Sequence, residues 1–135
     1  VTVTGASMSG TVALGGTSAP YAASLALAWV STAYTGVWKK AGADDAYLVF
    51  CVLNTGNGRL GVQVDVTIRA DKTYSYDIFT GTVNNDTFVG ATLTGSGLAS
   101  RLQFDGDQLS GTTSTVARPV QTTPFSATRY AAVRP

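Results

Sequence analysis

The 135 residues are about one domain's worth of chain, 44% hydrophobic and only 13% charged, with a formal net charge of +1; a globular chain usually carries nearer 25% charge. There is no His, which excludes Ser-His-Asp and Cys-His nucleophiles and the usual zinc sites. The Arg residues are scattered rather than clustered, which gives no support to a nucleic-acid groove, and no apolar run reaches the roughly 18 residues of a membrane helix.

All the acidic residues are Asp (44, 45, 65, 71, 77, 86, 105, 107) and only three residues are Lys. Asp belongs to turns, whereas the missing Glu and scarce Lys are helix formers. Many Thr and Gly beside them indicate an all-β chain of strands joined by tight turns. The chain opens at Val1 without Met, so an upstream segment, a signal peptide or part of a longer chain, is expected to precede it. The weakly charged Thr/Ser/Gly-rich surface suits a secreted or cell-surface bacterial protein.

In chain order, residues 1–33 are the least defined. Val1–Thr4 and Gly10–Leu14 read as short strands. Thr17-Ser18 followed by Pro20 suits an N-capped short helix over 21–30. Leu25, Leu27 and Trp29 alternate as in a strand, however, and strand is the preferred reading.

From 34 to 133 the chain reads as a hairpin series. A first strand covers 34–40. Ala46–Leu53 is a continuous apolar run, as in a strand covered on both faces. Asn57-Gly58 then supplies a type I′ turn into Leu60–Arg69. There Leu60, Val62, Val64, Val66 and Ile68 face one way, and Gly61, Gln63, Asp65, Thr67 and Arg69 the other. Strands over 73–79, 87–93, 98–104, 108–116 and 125–133 follow, punctuated by Ala70–Lys72, Asn84–Asp86, Thr94–Gly97 and Asp105–Asp107. About eight short, evenly spaced strands predict an antiparallel up-and-down β-barrel, with a β-sandwich or jelly roll as the alternative, and 1–135 as a single β-domain.

Gly36-Val37-Trp38 sits on the strand that opens this series and Arg129 on the strand that closes it. The pattern resembles the calycins, the superfamily of lipocalins, fatty-acid-binding proteins and avidins. There a Gly-x-Trp on the first strand packs beneath an Arg or Lys from the last. The resemblance spans about 34–133 and implies a closed barrel in which Gly36, Trp38 and Arg129 are structural. The strands are shorter than a lipocalin's, and with one Cys no disulfide is available.

No catalytic, metal or cofactor site is expected. Asp105-Gly106-Asp107 offers oxygens to a cation such as calcium, but a plain hairpin turn is the preferred reading. Asp65 and Asp77 lie opposite the apolar strand faces and are expected on the solvated surface, Asn85-Asp86-Thr87 is turn chemistry that matches a glycosylation sequon, and Cys51 is an inert buried thiol. Trp38, Tyr74, Tyr76 and Phe88 are the ligand-binding candidates: Tyr74 and Tyr76 beside Trp38 would line a cavity if the barrel is open inside, and otherwise they fill the core. The expected function is a non-enzymatic binding module for a small apolar or carbohydrate ligand or a protein partner. The alternatives are a self-associating structural subunit of a virion, fibre or pilus, and a small β-barrel enzyme that acts by shaping its substrate.

Overall fold

Stretches rich in Val, Thr, Ile and aromatic residues, bounded by Gly, Asn and Asp, favour extended backbone and hand over through tight turns. A computed structural model shows what these segments build. It describes residues 2–4, 7–24, 28–30, 32–42, 44–55, 58–93 and 97–131, which hold twelve strands and no helix. The helix alternative for 21–30 is thereby overturned at the described positions: Tyr21–Ser24 and Ala28–Val30 are extended, and 25–27 lie outside the described residues.

Strands β1 (Thr2–Thr4), β2 (Ser7–Leu14) and β3 (Thr17–Ser24) form an antiparallel sheet of their own. The eight strands of the hairpin series are β5 (Gly36–Lys40), β6 (Asp45–Asn54), β7 (Arg59–Ile68), β8 (Tyr74–Asn84), β9 (Thr87–Thr92), β10 (Leu98–Asp105), β11 (Gln108–Thr115) and β12 (Thr122–Ala131). Each pairs antiparallel with its successor, and β12 returns to β5 with Arg129 opposite Trp38. The result is a closed up-and-down barrel with no free edge, not a sandwich. Short strand β4 (Ala28–Val30) pairs with β6 beside β5, from Ala28↔Asn54 to Val30↔Val52. Beyond it the pairing resumes at Gly36↔Phe50, so β4 and β5 are one broken strand with an intervening loop.

The expected Asn57-Gly58 turn falls partly outside the described residues, since Asn57 is not among them; on either side of it Asn54 pairs with Arg59 and the Thr55 N–H donates to the Gly58 carbonyl at 3.0 Å.

The core fills the half of the barrel near the β6–β7, β8–β9 and β10–β11 turns. Trp38, Leu48, Phe50, Val52, Phe79, Phe88, Leu102, Phe104, Leu109 and Ala127 are buried there as one cluster. Phe50 packs on Phe88 and Phe104 at ring-centroid distances of 5.2 and 5.0 Å. Small residues make room for these rings. A Cβ on Gly61 would lie 2.6 Å from the Phe88 ring, and one on Gly90 2.4 Å from it, so Phe88 is slotted over two glycines.

This packing settles which face of β7 points inward. Gly61 and Gln63 are buried, and Val62, Val64 and Val66 point out and are only half-buried. Asp65 and Asp77 therefore lie on the inward-facing side of β7 and β8, not on the solvated exterior. The reason is volume: the big inward residues come from β5, β6, β8, β9 and β10, and β7 supplies the small and polar complement. The outward residues of β6 (Tyr47, Val49, Cys51, Leu53) are likewise only half-buried, so this strand is covered on one face rather than two. Cys51 is thus a half-buried thiol on the outside, and desolvation holds its pKa up.

Candidate functional site

Loop 32–35, between β4 and β5, folds over the core end of the barrel. Thr32 organises it: its hydroxyl accepts from the Tyr34 N–H at 3.1 Å, and its carbonyl accepts from the Thr35 N–H at 3.3 Å. The turn exposes carbonyls that need donors. The Trp38 indole N–H donates to the Tyr34 carbonyl at 3.1 Å, and the Arg129 guanidinium donates to the Thr35 carbonyl at 3.2 Å and to the Ala33 carbonyl. Arg129 also bonds Asp107 through Nε at 2.9 Å, and its Cζ lies 4.4 Å from the Trp38 ring centroid. One planar cation thus ties the last strand, the β10–β11 turn and the loop together while stacking on the indole, a combination Lys cannot supply. Gly36 opens β5 buried, at φ 151°, where an L side chain would be strained.

Tyr34 lies across this floor. Its ring stacks on Phe104 at 4.7 Å, and its hydroxyl donates to the Asp86 carboxylate. That hydrogen bond, then desolvation, raises the phenol's pKa above 10.0. A folded pKa above the unfolded value means a stabilising contribution complete below pH 10, and lost as pH rises through the raised value. The absorbance titration of the six tyrosines is expected to trail to high pH, with Tyr34→Phe removing part of the tail; an unchanged curve would contradict this.

Beside Tyr34 a recess of about 430 Å³ opens, lined by Thr32, Ala33, Tyr34, Val52, Arg59, Val83 and Asn85. Its size lies within the usual range for small-molecule sites. Val52, Val83 and the Tyr34 ring make an apolar wall, and Arg59, Asn85 and Thr32 place polar groups around it. Among the described residues Arg59 has no ion-pair partner. Asn85 sits at the β8–β9 turn with a left-handed φ of 52°.

At the other half of the interior a polar chain crosses the barrel. The Ser100 hydroxyl donates to Gln63 Oε1 at 2.6 Å, Gln63 Nε2 donates to Asp65 Oδ1 at 2.8 Å, and Lys40 Nζ donates to Asp65 Oδ2 at 2.8 Å. The Lys40 ammonium also lies 4.4 Å from the Phe125 ring centroid. Gln63 is fully buried, and no buried side-chain polar atom among the described residues lacks a partner.

Of the residues singled out from sequence, Gly36, Trp38 and Arg129 come together at the floor. Phe88 is buried in the core with Trp38, and neither lines the recess. Tyr74 and Tyr76 are not beside Trp38: they stand on the outside of β8, 64% and 59% exposed, because Phe79 takes the inward parity of that strand. The Asp105-Gly106-Asp107 segment is a two-residue turn between Asp105 and Gln108, with Gly106 at φ 59° and Asp107 bonded to Arg129. Sequence reasoning missed Tyr34, Arg59 and Asn85, and Lys40, Gln63 and Ser100. For the loop, the available signal was an aromatic two residues before Gly36. For the polar chain it was Gln63 and Asp65 sharing a face with Gly61.

The fold and floor thus define the class as a closed eight-stranded up-and-down antiparallel barrel plugged at one end by a Trp–Arg stack. In comparisons with known proteins, no family model, no curated protein and no solved structure matches the chain.

Proposed function

We propose that the chain is a calycin-like, non-enzymatic binding barrel of a secreted or surface protein, whose recess beside Tyr34 takes a small ligand joining an apolar body to one anionic group. The observation that carries this reading is the recess itself, where an apolar wall meets the Arg59 guanidinium, which has no ion-pair partner among the described residues. Small-molecule sites combine a mostly apolar lining with a few polar groups that fix orientation. A carboxylate is the natural complement of a guanidinium fork. The packed aromatic core leaves an extended apolar chain no path through the barrel, so the ligand is short.

Octanoate is a suitable probe, followed by amide chemical shifts. Saturable shifts are expected at 32–35, Val83 and Asn85, and Arg59→Gln is expected to weaken binding about fivefold. Arg59 is exposed, so this variant keeps the fold. Shifts confined to the outer faces of β6–β8, or equal affinity for Arg59→Gln, would refute the reading.

A further inference from the structure

Two surfaces of this chain present exposed or half-exposed apolar side chains. The first belongs to the sheet β1–β3, an N-terminal arm that turns at Gly15-Gly16. The register Met8↔Ala23, Gly10↔Tyr21, Val12↔Ala19 puts Met8, Val12, Leu14, Ala19, Tyr21 and Ala23 on one face. Gly10 and Thr17 share this face, and the opposite face holds Ser9, Thr11 and Ser18 with the smaller Ala13, Pro20 and Ala22. On the apolar face Met8 is 43%, Val12 57% and Leu14 84% exposed. A small sheet of this kind is marginal in water unless its apolar face packs on something.

The second surface is the exterior of β6–β8. Cross-strand rows Tyr47–Val66–Tyr76 and Val49–Val64–Ile78 run over it without a charge between them. Barrel exteriors are ordinarily polar, and a contiguous apolar patch marks an interaction site. Charge narrows the choice of occupant. The first charged side chain is Lys39, so the arm carries none and offers an acidic or basic partner nothing to pair with; on the barrel exterior the charges beside Tyr47, Lys39 over its ring and the exposed Asp45, already face each other at 3.9 Å.

We infer that the occupant is a second copy of this chain, with the apolar face of each protomer's β2–β3 hairpin laid over the β6–β8 exterior of the other. The area is sufficient. Two eight-residue strands present a face of roughly 27 by 10 Å, about 250 Å². Two such arms on two acceptor faces remove about 1,000 Å² in total, the threshold of a biological interface and the size of a weak, reversible one. Exchange in both directions gives the closed two-fold symmetry most homodimers adopt, and one contact covers both surfaces.

The test is sedimentation equilibrium of the full chain at about 100 μM, alone and as Leu14→Asp and Tyr76→Lys. Both positions are exposed, so the substitutions leave the protomer folded, which far-UV circular dichroism verifies. The expected result is twice the 13.9 kDa chain mass, with each variant raising the dissociation constant at least tenfold. A wild-type monomer overturns the inference, including one whose arm folds back on its own barrel. Dissociation by Tyr76→Lys but not by Leu14→Asp also overturns it, as that result means the barrel faces pair directly. Species larger than a dimer overturn it too, because they point to edge-to-edge pairing of the arms.

Discussion

Trp38→Ala is expected to remove about 3–5 kcal/mol of stability, the usual loss for deleting a fully buried large aromatic, from a total that for such domains is roughly 5–15 kcal/mol. The indole does three things at once. It is 0% exposed and packs on Phe104 at 5.5 Å. Its N–H satisfies the Tyr34 carbonyl. It is also the surface on which Arg129 lies flat. Truncation leaves a cavity, an unpaired carbonyl in the floor loop and a guanidinium with no face to stack on. Arg129→Met is expected to cost less, about 2–3 kcal/mol, because it strands the Ala33 and Thr35 carbonyls near a loop that water can reach. The two losses will not add. Once Trp38 is gone the stacking is gone as well, so a double-mutant cycle by urea unfolding should show a coupling of about 1 kcal/mol or more. A Trp38→Ala loss under about 1 kcal/mol, or strict additivity, would mean the floor is held by something other than this stack.

The eight barrel strands were legible because each carries its own period-two alternation and its own turn residues, both local properties. Asn84–Asp86 and Asp105–Asp107 sit at the ends of β8 and β10 as turn chemistry requires. Tyr34 was read as the first residue of a strand, and it belongs instead to the loop. There Thr32 bonding to its neighbours outcompetes the extended conformation. The β4 break was invisible for the same reason: its two pieces share one partner, β6, and only the register reveals that they are one interrupted strand.

Alternation states that a strand has two faces and is silent on which is inward. For β7 the richer apolar face invited the wrong choice. What decides is whether neighbouring strands have already filled the interior, and here Phe50, Phe79, Phe88 and Phe104 have done so. Gly61 beneath Phe88, and Gly111 beneath Phe125 and Leu102, are the complement. A strand glycine over which a bulky ring or side chain from another strand lies, as Phe88 lies over Gly61, therefore marks an inward face and places Gln63 and Asp65 inside. The same inversion moved Tyr74 and Tyr76 outside and removed them as cavity residues. Arg59 and Asn85 could not be assigned from sequence, since each sits at a turn and their meeting depends on the barrel bringing the β6–β7 and β8–β9 turns to one end.

The inward polar chain yields the second large effect. Lys40→Met is expected to destabilise by about 3 kcal/mol, because Asp65, with a side chain only 16% exposed, then keeps a negative charge answered by the Gln63 amide alone. Asp65→Asn should cost a similar amount by leaving the Lys40 ammonium, 19% exposed, with the Phe125 face and without its one ion-pair contact among the described residues. Lys40→Met combined with Asp65→Asn is expected to return to within about 1 kcal/mol of the parent: both charges are gone, and the introduced carboxamide keeps an oxygen for the Gln63 amide. Urea unfolding of the four proteins measures this, and a double variant as damaged as the sum of the singles would show that the pair is not coupled. A recovered double variant would mean that the ion pair adds little net stability over a neutral pair of the same shape. Its remaining physical role is then register. Sliding β7 by one residue would turn Val62, Val64 and Val66 inward against rings that leave no space, and would drag Asp65 away from Lys40. Gln63 and Asp65, clamped to Ser100 and Lys40 on other strands of the barrel, make that slip costly where the apolar pattern of β7 alone would favour it.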